Sequence, residues 1–146
     1  MPPISCQQIL IFGRGFVVEN KAITVLLVED NPGDAIIIGA LLRTKEELFR
    51  VTHVSTLASA LERLRTHEVD VILLDLRLAD STGLETLTRI RAEVPTTPII
   101  IISGATDKEI AVRALLQGAQ NFLPKEFLDE HQLIRAIERV IAATMN

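Results

Sequence analysis

The chain has 146 residues, a formal net charge of −4, 48% apolar residues, few aromatic residues and a single cysteine. This length fits one domain with an aliphatic core, and the acidic balance without a Lys/Arg block argues against direct nucleic-acid binding. The lone Cys6 excludes an intrachain disulfide and a cysteine-based zinc site. Because no apolar run approaches the roughly 20 residues needed to span a bilayer, we expect a soluble cytoplasmic protein without a membrane segment.

The first 22 residues differ from the rest of the chain. They contain Pro2-Pro3, a Gly13-Arg14-Gly15 break and no helical period. We interpret residues 1–22 as a flexible extension outside a main domain that covers residues 23–146, since chain ends are usually loose. The alternative is a strand or a partner contact formed by the apolar residues 9–18.

From Thr24 onward, strand-like and helix-like segments alternate. Strands are predicted at residues 24–28, 49–54, 69–74, 99–102 and 119–123. Helices are predicted from Pro32 to about residue 44, then at 55–65 and 84–93, from residue 106 or 107 to 117, and at 128–143. The strand runs lack polar alternation, which is typical of strands buried on both faces. Strict alternation predicts an α/β fold in which helical crossovers connect parallel strands.

Several residues mark the ends of these elements. Asn31 is predicted to cap the first helix with Pro32 at its first position, and Gly118 to end the fourth helix. Residues 77–83 (RLADSTG) are rich in turn formers and predict a loop. Asp70 and Asp80 are predicted to be solvated, with Asp70 able to cap the start of its strand.

Polar residues follow four of the predicted strands. Glu29-Asp30, Asp75, Ser103 and Lys125 each stand directly after or at the end of an apolar run. Because open α/β sheets place ligand sites at the carboxyl ends of parallel strands, these side chains are predicted to share one rim.

The chemistry of this rim fits phosphoryl transfer. Neighbouring carboxylates suit Mg²⁺, an aspartate can act as a nucleophile toward phosphorus, and an ammonium neutralises phosphoryl charge. Ser103 offers a hydroxyl donor. Taken singly, each residue has a plainer interpretation: Asp30 belongs to the cap of the first helix, Ser103 to a turn, and Lys125 to the solvated surface. It is the joint pattern that favours function.

Four stretches resemble the receiver domain of two-component response regulators, and the resemblance covers about residues 23–143. They are VLLVEDNPGDA (25–35), VDVILLDLRLADSTGLE (69–85), PIIIISG (98–104) and GAQNFLPK (118–125). The resemblance implies a flavodoxin-like, doubly wound parallel sheet of five strands in the order 2-1-3-4-5, with five helices.

The resemblance also implies residue roles. Asp75 accepts a phosphoryl group from a histidine kinase or phosphotransfer protein. Asp30, Asp75 and the backbone carbonyl of Arg77 ligate Mg²⁺, and Glu29 contributes directly or through water.

Further roles concern the response to phosphorylation. Lys125 pairs with the phosphoryl group, Ser103 hydrogen-bonds it and moves inward, and Phe122 is the switch aromatic that follows. The face formed by the fourth helix, fifth strand and last helix contacts a downstream protein. In departures from the family, Glu126 stands where a proline often follows the lysine, Phe122 replaces the commoner tyrosine, and Arg77 overhangs the site.

Three functions are compared. The leading hypothesis is a phosphoacceptor that signals by protein contact and shows only weak self-catalysed phosphorylation and dephosphorylation, and so is not a metabolic enzyme. The second is a phosphorylation-independent interaction module. The third, a flavodoxin-like or hydrolase enzyme, lacks support because no phosphate-binding glycine loop is present and Asp75 lacks the second acid of a DxD signature. Apolar surface on the fourth or fifth helix is compatible with a homodimer.

Overall fold

The computed structural model describes residues 22–45, 47–104 and 108–144. The strands in these ranges are β1 Ile23–Val28, β2 Phe49–Val54, β3 Val71–Leu74, β4 Arg77–Leu78, β5 Ser81–Thr82, β6 Ile99–Ser103 and β7 Asn121–Pro124. The helices are α1 Pro32–Arg43, α2 Leu57–Thr66, α3 Leu84–Glu93, α4 Lys108–Leu116 and α5 Glu130–Thr144, with a 3-10 turn at Lys125–Phe127. Residues 1–21, on which the interpretation of the extension rests, lie outside the described ranges.

The central sheet contains five parallel strands in the order β2-β1-β3-β6-β7, while β4 and β5 form a separate antiparallel hairpin. Without the hairpin strands, this is the order 2-1-3-4-5 that the resemblance implied. All five central strands run in one direction, so their carboxyl ends lie at one edge.

Helices cover both faces of the sheet. Side chains of α1 and α5 pack with alternate sheet residues such as Val25 and Leu73, and those of α2, α3 and α4 pack with the intervening ones, such as Leu26 and Ile72. Successive strand residues point to opposite faces, which explains why both sets are apolar. Among the described helices, none is both long and apolar enough to cross a membrane.

The predicted caps of α1 and α4 are confirmed. The Asn31 side chain accepts a hydrogen bond from the Asp34 N–H at 3.0 Å, and Pro32 opens the helix. Gly118 follows α4 with φ at 108°, a conformation that favours glycine. The predicted start of α4 at residue 106 or 107 falls outside the described residues.

The structure differs in detail from two predictions. Residues 77–83, predicted as a loop rich in turn formers, contain the short β4–β5 hairpin, with Arg77 opposite Thr82 and Leu78 opposite Ser81. The last helix begins at Glu130 rather than residue 128, because residues 125–127 first form a 3-10 turn. All peptide bonds in the described residues are trans.

Asp70 and Asp80 make specific contacts, although Asp80 is exposed, as predicted, and Asp70 is half-buried. The Asp70 carboxylate accepts hydrogen bonds from the N–H and hydroxyl of Thr24, at 2.8 and 2.9 Å, at the start of β1. The Asp80 carboxylate accepts hydrogen bonds from the N–H groups of Leu57 and Ala58, at 2.8 and 3.0 Å. Asp80 therefore provides a second cap, beside the N-cap residue Thr56, for a helix that begins 23 residues earlier in the chain.

Candidate functional site

The carboxyl ends of four central strands meet at one edge of the sheet, as the parallel pairing of Val28 with Leu74 and of Ser103 with Pro124 requires. Polar residues follow or close each of these strands. They are Glu29, Asp30, Asp75, Ser103 and Lys125. Glu29, Asp75 and Ser103 are 1%, 5% and 1% exposed, although each carries a polar side chain.

Lys125 lies at the centre of this edge. Its Nζ atom is 2.6 Å from Glu29 Oε1, 2.8 Å from Asp34 Oδ2 and 2.9 Å from Asp75 Oδ2. The interpretation of Lys125 as a solvated surface residue is therefore wrong, since its side chain is only 16% exposed. One ammonium bridges carboxylates from the ends of two strands and from the first turn of a helix.

Asp34 is the member of this group that the sequence analysis missed. It lies in the first turn of α1, where the Asn31 cap accepts a hydrogen bond from its backbone N–H. Because α1 begins at the carboxyl end of β1, its first turn lies beside the same edge as Lys125. An acid in the first turn of the helix that follows an acidic strand end was the available signal.

The two carboxylate oxygens of Asp75 have different partners. Oδ2 accepts a hydrogen bond from Lys125, and Oδ1 accepts one from the backbone N–H of Arg77 at 3.1 Å. The backbone N–H of Asp75 donates to the Val28 carbonyl at 3.0 Å, which continues the sheet pairing to the end of β3. Asp75 is thus held at a fixed position on the sheet edge.

Glu29, Asp30 and Asp75 form the candidate metal centre. Each offers one carboxylate oxygen, and these oxygens lie within 4.8 Å of one another. Hard oxygen donors are the ligands that Mg²⁺ prefers, so the donor set fits this ion. Arg77, whose backbone carbonyl the resemblance adds to the set, is an exposed residue at the start of β4.

Burial and charge shift the acid–base equilibria of the pocket. Burial raises the pKa of Glu29 from 4.5 to about 7, and the neighbouring Asp75 carboxylate adds to this shift. Burial alone would lower the pKa of Lys125, but the carboxylates of Asp34, Glu29 and Asp75 outweigh it and hold that pKa above its usual range. The pocket therefore contains a fixed cation beside a carboxyl group that ionises near neutral pH.

The backbone around Glu29 is also positioned by side-chain contacts. The Asn31 N–H donates to Glu29 Oε2 at 3.2 Å, and His53 Nε2 lies 2.7 Å from the Glu29 carbonyl oxygen. Because His53 lies near the carboxyl end of β2, this contact links that edge strand to Glu29-Asp30.

Ser103 and Phe122 lie on one face of the sheet. Ile101 is paired with Phe122, and Ser103 follows Ile101 by two residues, which returns it to the same face. Phe122 is half-buried against the apolar cluster beneath α3 and α4. The switch roles assigned to these two residues stay predictions.

The β4–β5 hairpin, which follows Asp75 in the chain, is fixed at two points. Asp80 caps α2, and the hydroxyls of Ser81 and Thr86 lie 2.6 Å apart. The Gly83 N–H donates to the Leu76 carbonyl at 2.7 Å and closes the loop.

Fold and site together define a parallel α/β protein with a carboxylate–lysine pocket at the carboxyl edge of its sheet. The family model for the response regulator receiver domain matches residues 25–138. The chain belongs to this family.

Curated relatives carry the same domain within longer chains. The transcriptional regulatory protein ZraR of Escherichia coli is 34% identical over 122 residues, which are 84% of this chain and 27% of that protein. The chain therefore spans about a quarter of the length of that relative.

Solved structures agree with the fold. The signal receiver domain of a Luxo repressor protein from Vibrio parahaemolyticus is 25% identical, with a TM-score of 0.77 over 86% of this chain and 94% of that one. The receiver domain of a sensor histidine kinase from Pseudomonas aeruginosa is 29% identical, with a TM-score of 0.73 over 84% of this chain and 99% of that one. The latter has a magnesium ion coordinated in its active-site cleft.

Proposed function

We propose that this receiver domain accepts a phosphoryl group on Asp75 from the phosphohistidine of a histidine kinase or phosphotransfer protein. The single observation that carries the proposal is the contact of 2.9 Å between Lys125 Nζ and Asp75 Oδ2 at a buried strand end. This contact places a carboxylate nucleophile beside a cation, and the other acids of the pocket lie next to it.

The transfer step needs little covalent chemistry from the protein. An Asp75 carboxylate oxygen attacks phosphorus, an O–P bond forms and the P–N bond to the donor imidazole breaks, with its electron pair staying on the ring nitrogen. The Arg77 N–H holds one oxygen of the nucleophile, and Lys125 balances charge that accumulates on the phosphoryl oxygens.

Glu29, Asp30, Asp75 and the Arg77 carbonyl would hold Mg²⁺, which when bound neutralises phosphoryl charge. Three acids close together favour a divalent cation, because one lysine cannot balance all of them.

We further propose that the domain signals by protein contact and has no metabolic activity beyond slow self-phosphorylation and self-dephosphorylation. Ser103 and Phe122 would convert phosphorylation into a change of packing beneath α4. The exposed apolar residues Val112, Leu115 and Leu116 on α4 supply surface for a downstream protein or a second copy of the chain.

Incubation with acetyl phosphate and Mg²⁺, followed by intact-mass measurement, tests the proposal. We expect the native chain to gain one phosphoryl group and Asp75→Asn to gain none. Asp129→Asn, which changes an exposed aspartate before α5 to a residue that can keep its hydrogen bond to the Gln132 N–H, is the matched control and should react like the native chain. No reaction in the native chain, or equal labelling of Asp75→Asn, contradicts it. Partner binding that is unaltered by Asp75→Asn would instead support the phosphorylation-independent module.

A further inference from the structure

Three carboxylates already crowd the ammonium group of Lys125, which leaves little room for a phosphoryl oxygen. Lys125 donates hydrogen bonds to Asp34 Oδ2 and Asp75 Oδ2, and Glu29 Oε1 forms an ion pair with its nitrogen at 2.6 Å. To pair with a phosphoryl group on Asp75, Lys125 has to release or share one of these partners.

Asp34 is the carboxylate that can leave. Its side chain is 36% exposed, whereas the Glu29 side chain is 1% exposed and the Asp75 side chain 6%. Glu29 and Asp75 also belong to the three-acid group that could hold a metal ion, and Asp34 does not. Release of Asp34 therefore exposes no buried charge and takes no ligand from a cation.

We propose that Asp34 is a positioning residue that competes with the phosphoryl group for Lys125 and thereby sets how readily the pocket accepts a phosphoryl anion. This inference rests on the proposed function. It assigns Asp34 neither to the metal nor to the transferred group, but to Lys125, the ammonium that pairs with the phosphoryl oxygens.

The physical basis is charge. The phosphoryl group carries close to two negative charges while the Asp75 carboxylate gives up its own, so the pocket gains about one negative charge. It already contains four carboxyl groups, three of them around Lys125. While Asp34 stays paired with Lys125, it weakens the attraction between that ammonium and the incoming anion and repels the anion directly. Substitution of Asp34 by Asn removes this competing charge, so Lys125 can pair more strongly with the phosphoryl oxygens.

The test compares native chain, Asp34→Asn and Asp34→Glu at saturating Mg²⁺. Glu85→Gln is the matched control, because Glu85 is an exposed acid in the first turn of α3, as Asp34 is in the first turn of α1. Binding of beryllofluoride, a phosphoryl mimic, is followed by fluorine NMR. We expect Asp34→Asn to bind it about fivefold to tenfold more tightly than the native chain, and Asp34→Glu and Glu85→Gln to stay within about twofold.

A kinetic measurement separates this role from a structural one. Labelling by acetyl phosphate, a dianion, should accelerate more in Asp34→Asn than labelling by phosphoramidate, which carries a single net negative charge. A loss of helix stability alone would change both rates alike. In a crystal structure of the native chain with beryllofluoride, the distance between Asp34 Oδ2 and Lys125 Nζ should exceed the present 2.8 Å by more than about 1 Å.

The inference fails if Asp34→Asn and native chain bind beryllofluoride equally, if both donors respond alike, or if the Asp34–Lys125 contact persists in the complex. If the native chain and Asp34→Asn react identically with acetyl phosphate, this inference is overturned and the proposed function still stands. A native chain that does not react overturns the proposed function.

Discussion

Folding buries the Glu29 side chain at a position where a negative charge lowers the stability of the folded state. Its side chain is 1% exposed, the Asp75 carboxylate lies beside it, and its negative charge is offset by Lys125 and by the Asn31 N–H. A carboxyl group in this setting keeps its proton to higher pH than in an unfolded chain. The acidic pocket therefore opposes folding most strongly in the ionised, metal-free state.

The stability of the metal-free chain should therefore depend on pH. Unfolded Glu29 loses its proton near pH 4.5, and folded Glu29 keeps it until about pH 7. Between these values the folded state binds more protons, so the free energy of unfolding falls as pH rises. Metal-free native chain should lose on the order of 2 kcal/mol between pH 5 and pH 7.5, and Glu29→Gln should lose clearly less. Urea unfolding in EDTA at several pH values measures this. Parallel pH curves for the two proteins would contradict it.

The same residues show how far a sequence determines a site. Glu29, Asp30, Asp75 and Ser103 could be predicted because each follows an apolar run, and the carboxyl ends of parallel strands converge. Asp34 could not be predicted in this way, since its position depends on how α1 is rotated against the sheet. That rotation follows from the packing of Ala35, Ile38 and Leu42 against the core, which strand-end reasoning does not address.

At the scale of elements, the β4–β5 hairpin connects the pocket to two helices. Asp80 at its turn accepts two N–H bonds from the start of α2, and Ser81 contacts Thr86 on α3. Asp75 precedes the hairpin directly, and the Arg77 N–H binds Asp75 Oδ1. The helices therefore brace the segment that orients the candidate nucleophile.

The contact of Asp80 with α2 should be measurable in stability. Hydrogen bonds from Leu57 and Ala58 lower the pKa of Asp80 below 3.8. Asp80→Ala should destabilise the chain by about 1 kcal/mol at pH 7, the usual net effect of losing a hydrogen bond, because Thr56 remains as the N-cap residue of α2. A lowered pKa in the folded state means that this stabilisation is present above pH 3.8 and is lost as pH falls through the folded value.

Asp80→Asn keeps one acceptor oxygen instead of two and should lose about half as much. Urea unfolding of the three proteins at pH 7 and pH 3 measures the difference, which should shrink at the lower pH. An effect of Asp80→Ala that is equal at both pH values would contradict the assignment of this stabilisation to the charged carboxylate.

Element type was easier to predict than element contacts. The five central strands, the Asn31 cap and the glycine after α4 follow from local residue patterns. The contact of Asp80 with α2 joins residues that are 23 positions apart, and no local pattern encodes it. The predicted strand at residues 69–74 was two residues too long because Asp70 turns its side chain to Thr24, so the strand begins at Val71.

At the scale of the whole molecule, the pocket depends on the complete sheet. Glu29 and Asp30 follow β1, Asp75 follows β3 and Lys125 follows β7, so the acids and the lysine meet only when strands far apart in sequence are in register. An unfolded chain has no such cluster. A cation that binds the three acids therefore favours the folded state of the entire domain.

Binding of Mg²⁺ should therefore stabilise the chain against unfolding. Mg²⁺ at about 100 times its dissociation constant should raise the free energy of unfolding of the native chain by about 2.7 kcal/mol. Asp30→Asn removes one of the three negative charges of this acidic group but changes an exposed residue. Metal-free stability should therefore stay within about 0.5 kcal/mol while most of the Mg²⁺ effect is lost.

Glu85→Gln, which lies outside the three-acid group, serves as its control and should keep the full response to Mg²⁺. Urea unfolding with Mg²⁺, or with Na⁺ at matched ionic strength, separates site binding from general screening of acidic charge. If Mg²⁺ stabilised Asp30→Asn as much as the native chain, the three acids would not be its binding site. A response to Na⁺ equal to that to Mg²⁺ would attribute the effect to ionic strength, because screening acts on net charge and a site requires the ion itself.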